Sequence, residues 1–187
     1  TLSEASKAFS FDRVNKSGAQ FDWNKLNWIN SQIIHELPPE VLFKELNQLW
    51  SAAGWVLINK EWGLQLTQLI SPSLTLLQDG IQQAEPFFKD PDITPEARKQ
   101  LEVEGAKKSL DFILKQLNET PWDGKDLVRA TKIIQSTIEA TKFKKGLIMK
   151  SLRAALLGQL QGPDLITTWS LLAQIKKDRY RLKKIIG

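Results

Sequence analysis

Arg153 stands inside an otherwise apolar run, Ser151-Leu-Arg-Ala-Ala-Leu-Leu157, so its guanidinium must leave the core and find a partner. Arginine presents a planar fork of donors, which suits a flat ligand with a hydrogen-bonding edge better than a point charge does. Gly158 follows the run and is expected to end its helix in the left-handed conformation. Gly162-Pro163-Asp164 is then expected to open another helix, with proline in the first turn. The arrangement is helix, short loop, helix, with an arginine at the corner beside exposed backbone and the apolar Pro163 and Leu165. An unstacked base is a ligand of that shape. The competing reading is a surface arginine that snorkels or pairs with a nearby carboxylate. A second pair, Lys25 and Trp28, lies three residues apart, off the apolar stripe of its helix and on one face, where both can meet one ligand.

Other chemistry has little to draw on. His35 is the only histidine, follows a helical stripe beside Glu36, and reads as structural. Cysteine is absent, which excludes disulfides and thiolate chemistry. No His or carboxylate cluster has metal-ligand spacing, and no glycine-rich phosphate loop occurs. Asp90 with Asp92, in a link, and Glu102 with Glu104, on a polar face, read as solvated charge. No catalytic residue, metal ligand or cofactor is assigned to this chain.

The formal charge of +5 is unevenly placed. From residue 142 to the end, eleven Lys and Arg face only Asp164 and Asp178, whereas the rest of the chain is net acidic. That asymmetry points to a polyanion at one end, nucleic acid before anionic membrane. With 42% hydrophobic residues, 187 residues can bury a core as one domain or two small ones. No apolar run approaches the ~20 residues that span a bilayer, and the first residues do not read as a signal peptide. The chain is expected to be cytoplasmic, to act without a membrane, and to be a portion of a longer protein.

Helical periodicity must position these groups. Thr1 and Glu4 have capping-box spacing, and Asn15 to Gly18 reads as a turn. Asp22 is expected to cap a helix with Trp23, Leu26, Ile29, Ile33 and Leu37 inward, stopped by Pro38-Pro39. A helix follows over 40–53, with Gly54 as its stop, and Asn59 caps another that runs to Ile70. Ser71-Pro72 is expected to begin a helix reaching Glu85-Pro86, with Leu74, Leu76, Leu77 and Ile81 inward, before a breaker-rich link from Phe87-Phe88 onward. Thr94-Pro95-Glu96 starts the next, with a break at Gly105, and Asp123 or Gly124 leads one through Ile138. Of seven Trp, the stripes assign Trp23, Trp50 and Trp169 to the core and leave Trp28, Trp55, Trp62 and Trp122 open. No period of two persists, so the fold is read as all-α with nine or ten helices in consecutive bundles.

Three stretches coincide with a known family. Phe11-Asp12-Arg13-Val14, Gly18, and then Phe21-Asp22-x-x-Lys25-Leu26-x-Trp28-x-Asn30 resemble the segment just after the catalytic half of bacterial glutamyl-tRNA synthetase, a class I enzyme. Leu152-Arg153-Ala-Ala-Leu156-x-Gly158 with Gly162-Pro163-x-Leu165 is similar to that family's signature near the C-terminus, and the Phe87-Phe88 link and basic tail match as well. The resemblance covers essentially the whole chain. It implies that residues 1–37 end the domain that contacts the inner stem of tRNA, and that 38–91 and 92–187 are two helical anticodon-binding subdomains. It implies that Lys25 and Trp28 touch the stem, that Arg153 reads an anticodon base, and that Gly162, Pro163 and Leu165 form the surface under the anticodon. The partner implied is tRNA for glutamate, with a monomeric protein, and ATP and magnesium belong to the absent catalytic half. Members restricted to that tRNA resemble one another in having Arg where this chain has Ser73, which implies a non-discriminating type that also takes tRNA for glutamine. Without the resemblance, a helical nucleic-acid or protein interaction module with a basic tail stays open.

Overall fold

The computed structural model describes residues 2–10 and 21–187, and among these there is no strand. Eleven α-helices run in order: α1 (Leu2–Ala8), α2 (Trp23–Glu36), α3 (Pro39–Ala52), α4 (Lys60–Ile70), α5 (Asp79–Phe88), α6 (Pro95–Glu102), α7 (Ala106–Glu119), α8 (Leu127–Thr141), α9 (Lys145–Leu157), α10 (Leu165–Gln174) and α11 (Lys177–Ile186), with a 3-10 turn at Ser71–Ser73. The all-α reading holds. Thr1 of the first capping pair, the Phe11-Asp12-Arg13-Val14 motif and the turn at Asn15 to Gly18 lie outside the described residues. No described helix is long and apolar enough to cross a membrane.

Helix starts carrying a side-chain cap fall where the sequence puts them. Asp22 accepts from the amides of Asn24 and Lys25, Asn59 from Trp62, and Thr94 from Ala97, each satisfying donors that a first turn leaves unpaired. Two starts differ. After the 3-10 turn the chain is irregular, and the Asp79 carboxylate gathers the amides of Thr75 and Leu76, so α5 begins only at Asp79 and Leu76 is left exposed. Asp126, not Asp123 or Gly124, caps α8, by accepting from Val128 and Arg129; Asp123 instead closes the preceding turn through the Lys125 amide.

α2 departs most from expectation. Trp23 is 67% exposed, Leu26, Ile29 and Ile33 are exposed too, and Ile34 is the residue that buries. The helix touches the rest of the described chain along its other edge: Asn30 donates to the Thr75 carbonyl and the His35 Nε2–H to the Leu74 carbonyl at 3.1 Å. Its apolar stripe has no covering element among the described residues, so periodicity located the stripe but not its partner.

The core is built around tryptophans. Trp50, Trp62 and Trp169 are each at most 2% exposed, and Trp122 meets Trp169 edge to face at 5.1 Å. A buried indole N–H needs an acceptor; Trp50 donates to the Gly80 carbonyl and Trp62 to that of Leu171, both at 3.0 Å. The Trp62 bond ties α4 to α10, and one apolar cluster runs from Ile34 to Leu182.

The link between α5 and α6 is held from three sides. Arg181, 3% exposed, donates to the carbonyls of Leu156, Pro86 and, at 2.7 Å, Lys89. Lys177 Nζ reaches the Phe88 carbonyl at 2.7 Å, and the Thr94 amide donates to the Gly158 carbonyl at 2.8 Å. Burial pushes the Arg181 guanidinium down to about 10, with Asp90 opposing, so it is still a cation at neutral pH. Two cations of the basic tail are thus turned inward onto backbone.

Gly158 closes α9 with φ +70° and lies so close to the Asp92 carbonyl oxygen that a Cβ would overlap it. Gly158→Ala is therefore expected to lower stability by at least about 2 kcal/mol, from left-handed strain plus that overlap. Gly146→Ala, in the first turn of α9 with open space around it, is expected to raise stability by about 0.5 kcal/mol. Urea unfolding midpoints of the two variants check both signs.

Candidate functional site

The corner between α9 and α10 is organised by Arg153. Its Nη1 donates to the Pro163 carbonyl at 2.6 Å across the loop. That carbonyl is the one hydrogen-bond acceptor the side chain has among the described residues, and the group is half-buried, so the rest of the fork is available. Burial pushes its pKa down, while the nearby Asp164 carboxylate favours the cation. It is neither a free snorkeller nor locked in an ion pair. Gly162, at φ +142°, leaves room for the arm: a Cβ there would come within 3.3 Å of Arg153 Nη1.

Two expectations at this corner change. Asp164, not Pro163, starts α10: its carboxylate accepts from the Thr167 amide and hydroxyl, each at 2.8 Å, and Pro163 precedes the cap. A carboxylate cap satisfies first-turn amides, which proline cannot do. Leu165 is 2% exposed. It packs into the core beneath the loop and gives no platform to a ligand; Pro163 and Gly162 carry the accessible surface.

Ser73 is brought to the same place from ninety residues away. The 3-10 turn puts Pro72 and Ser73 on one wall of a cleft of about 650 Å³ whose facing wall carries Pro163, Asp164 and Thr167. Across it Gln174 Nε2 of α10 donates to Gln65 Oε1 of α4 at 3.2 Å, and Ser170 Oγ donates to the Gly124 carbonyl at 2.6 Å. Those bonds hold the loop bearing Lys125 against α10, at the edge of the cleft. Gln65, Gln68, Lys125 and Gln174 were missed in the sequence. The three-residue spacing of Gln65 and Gln68 is a local signal for a polar helix face; Lys125 and Gln174 arrive only by tertiary docking.

Lys25 and Trp28 lie elsewhere, both exposed on α2, Trp28 at 64%. They connect to the cleft through the backbone bonds from Asn30 and His35 to the residues just after Ser73. The geometry puts Ser73 and Pro163 on one cleft, ties Arg153 to it only through the Pro163 carbonyl with Gly162 alongside, and leaves Lys25 with Trp28 as a separate exposed pair.

A helical domain with an arginine-braced corner facing a polar cleft is a binding architecture, and residues 41–186 match the family model described as an anticodon binding domain. The chain belongs to the anticodon-binding-domain family. Its relatives include proteins named glutamate–tRNA ligase: that of Prochlorococcus marinus strain MIT 9303 is 55% identical over 186 residues, and that of Parasynechococcus marenigrum strain WH8102 is 52% identical over 188. In both, all of this chain is matched but only 39% of the relative, so the chain spans about two-fifths of their length. In fold it is similar to a glutamate tRNA ligase from Elizabethkingia meningosepticum, with TM-score 0.87 and 22% identity over 100% of this chain and 36% of that one. The corresponding synthetase of Elizabethkingia anophelis gives 0.79 at 23% identity, covering 95% and 34%.

Replacing Arg153 by Met removes the brace and keeps most of the packing. Arg153→Met is expected to cost only about 1–2 kcal/mol in unfolding, as for one charge-assisted bond at a half-exposed site. It is also expected to speed proteolytic cleavage within residues 159–163 several-fold, read by limited digestion and mass spectrometry.

Proposed function

We propose that this chain recognises the anticodon and inner stem of tRNA for glutamate, as the RNA-binding part of a glutamate–tRNA ligase. The observation that carries the reading is the cleft between Ser73 and Pro163, with the partly free Arg153 fork bonded to the Pro163 carbonyl beside it. Its charged groups are Glu61 and Asp164 against Lys125, so it does not favour phosphate. A neutral plane with a hydrogen-bonding edge, such as an unstacked loop base, suits it better. Exposed cations outside the cleft, among them Lys183 and the Lys142, Lys144 and Lys145 group, are placed to follow phosphates and fix register without reading sequence. Lys25 and Trp28 contact the stem, a cation for phosphate beside a ring for a sugar or base face.

Ser73 makes this a non-discriminating recogniser that also takes tRNA for glutamine. A serine is too short to place a donor fork across the cleft, so it does not select the base that an arginine there would. The protein acts as a monomer in the cytoplasm. The described residues contain no group of three or more His, Asp or Glu able to hold a metal, and the sequence has no phosphate loop. In this reading ATP, magnesium and the joining of glutamate to tRNA belong to the remaining length of the longer ligase.

Binding to RNA hairpins carrying the glutamate anticodon loop tests the reading. Arg153→Ala is expected to weaken binding by about 1–3 kcal/mol, unequally among hairpins differing at one loop base, as when a base contact is lost. Lys183→Ala is expected to weaken all hairpins alike and to flatten the salt dependence. Equal affinity of the unsubstituted chain for hairpin and duplex DNA would overturn the proposal. Separately, Ser73→Arg is expected to lower affinity for purified glutamine tRNA while sparing glutamate tRNA. An unchanged ratio of the two dissociation constants would remove the non-discriminating reading alone.

A further inference from the structure

Pro163 has two sides. Away from the Ser73 cleft it also lines a second groove, of about 500 Å³, formed by the C-terminal half of α5, the link to α6, and Leu157 with Gln159 at the end of α9. Pro163 is the residue the two cavities share.

Most charge in the second groove is already paired. Lys89 bonds Glu85 at 2.9 Å, and Asp90 has Lys184 at 3.4 Å and Arg181 at 3.8 Å. Three carboxamides, Gln82, Gln83 and Gln159, line the groove with no hydrogen-bond partner among the described residues. In the first cleft Gln174 and Gln65 bond each other, and Gln68 alone is without a partner among the described residues. A free carboxamide presents a donor and an acceptor side by side, the pattern that matches two adjacent positions on a base edge. With Glu85, Asp90 and Asp92 outnumbering Lys89, the groove disfavours phosphate and favours a neutral polar plane.

Its frame is rigid where reading needs it. Gln159 follows Gly158, whose carbonyl is held by the Thr94 amide and whose Cα is pressed on the Asp92 backbone. Gln83 stands on α5, whose C-terminal carbonyls are held by Arg181. A side chain on a fixed backbone loses less freedom when it binds.

Resting on the tRNA reading above, we infer that the second groove is a further base subsite, in which Gln159 and Gln83 read the nucleotide neighbouring the one in the Ser73 cleft. Pro163, a rigid apolar ring between the two cavities, keeps those two bases unstacked. The recognised loop straddles the ridge, one base on each side.

The test uses the 187-residue chain and hairpins of the glutamate anticodon loop in which each anticodon base is replaced in turn, with dissociation constants measured for each. Gln159→Ala and Gln83→Ala are expected to weaken the parent hairpin about 5- to 100-fold, the range of one lost bidentate contact. They should erase the preference at one loop position while leaving intact the position whose preference Ser73→Arg alters. Gln159→Glu, which keeps the shape and exchanges a donor for an acceptor, is expected to change which base is preferred at that same position. If the Gln variants bind every hairpin as the unsubstituted chain does, or weaken all equally, the subsite is refuted while the tRNA reading stands on the chain's own loop preferences. If the unsubstituted chain has no preference among the hairpins, the tRNA reading fails and takes the subsite with it.

Discussion

The Arg181 guanidinium is the contact that fixes the geometry of everything around the site. It lies where two helices end, α9 at Leu156 and α5 at Pro86 and Lys89, and takes a carbonyl from each place. The last carbonyls of a helix lack intrahelical donors and carry the negative end of the helix dipole, so a buried cation between two such ends meets partial charge from both. Desolvation is the cost, visible in the lowered pKa, and the carbonyls with Asp90 offset it. Lysine would not serve equally: a point charge cannot direct separate, coplanar donors to carbonyls on two helices and a link. With α5 and α9 held in this way, the groove between them has walls of fixed spacing, and the loop after Gly158 leaves from a fixed point.

Arg153 and Arg181 show one side chain used in two ways. Both donate their hydrogen bonds to backbone carbonyls, and Arg181 also has the Asp90 carboxylate at 3.8 Å. Arg181 is sealed at 3% exposure and all its contacts are internal. Arg153 is only half-buried and commits one donor to Pro163, so it stiffens the loop with the rest of its fork uncommitted. That division agrees with a proposed role in recognition, where a reading group must be oriented before the ligand arrives. It also alters the meaning of the basic tail. Of its cations, Arg181 and Lys177 hold the α5–α6 link, and the exposed remainder carries any long-range attraction for a polyanion.

What the sequence made legible was local. Asp22, Asn59 and Thr94 cap helices because the acceptor and the amides it satisfies lie within three residues of each other. The Arg153 corner was visible for the same reason, a charge in an apolar run followed by two glycines. Tertiary partners were not. Trp62 and Trp122 look alike in sequence to the exposed Trp28, and only the packing of α4 and of the segment before α8 on α10 separates them. Leu165 reads as loop surface because it follows proline, yet the Asp164 cap turns it into the first, inward residue of α10. The α2 stripe was found correctly as a stripe and assigned wrongly as core, since periodicity says which residues share a face but not whether anything covers it.

Under the proposed tRNA reading, the position of Ser73 lets selectivity rest on one residue. Its turn is held from within by the Leu74 amide on the Ser71 carbonyl, and from α2 by Asn30 and His35 on the carbonyls of Thr75 and Leu74. Leu74 is buried beneath it at 1% exposure. The Ser73 backbone is thus fixed, its side chain faces an open cleft, and a change there alters the wall without disturbing the fold. The same bonds join the cleft to the helix carrying Lys25 and Trp28, so the surface proposed for the stem and the cleft proposed for a loop base keep a constant separation. Two rigidly spaced contacts on one folded RNA act as a ruler: an RNA of the wrong shape can satisfy one of them but not both. Under the proposed tRNA reading, selection by overall shape comes from the α2 docking bonds, and selection among bases from groups such as Ser73 that line the cleft.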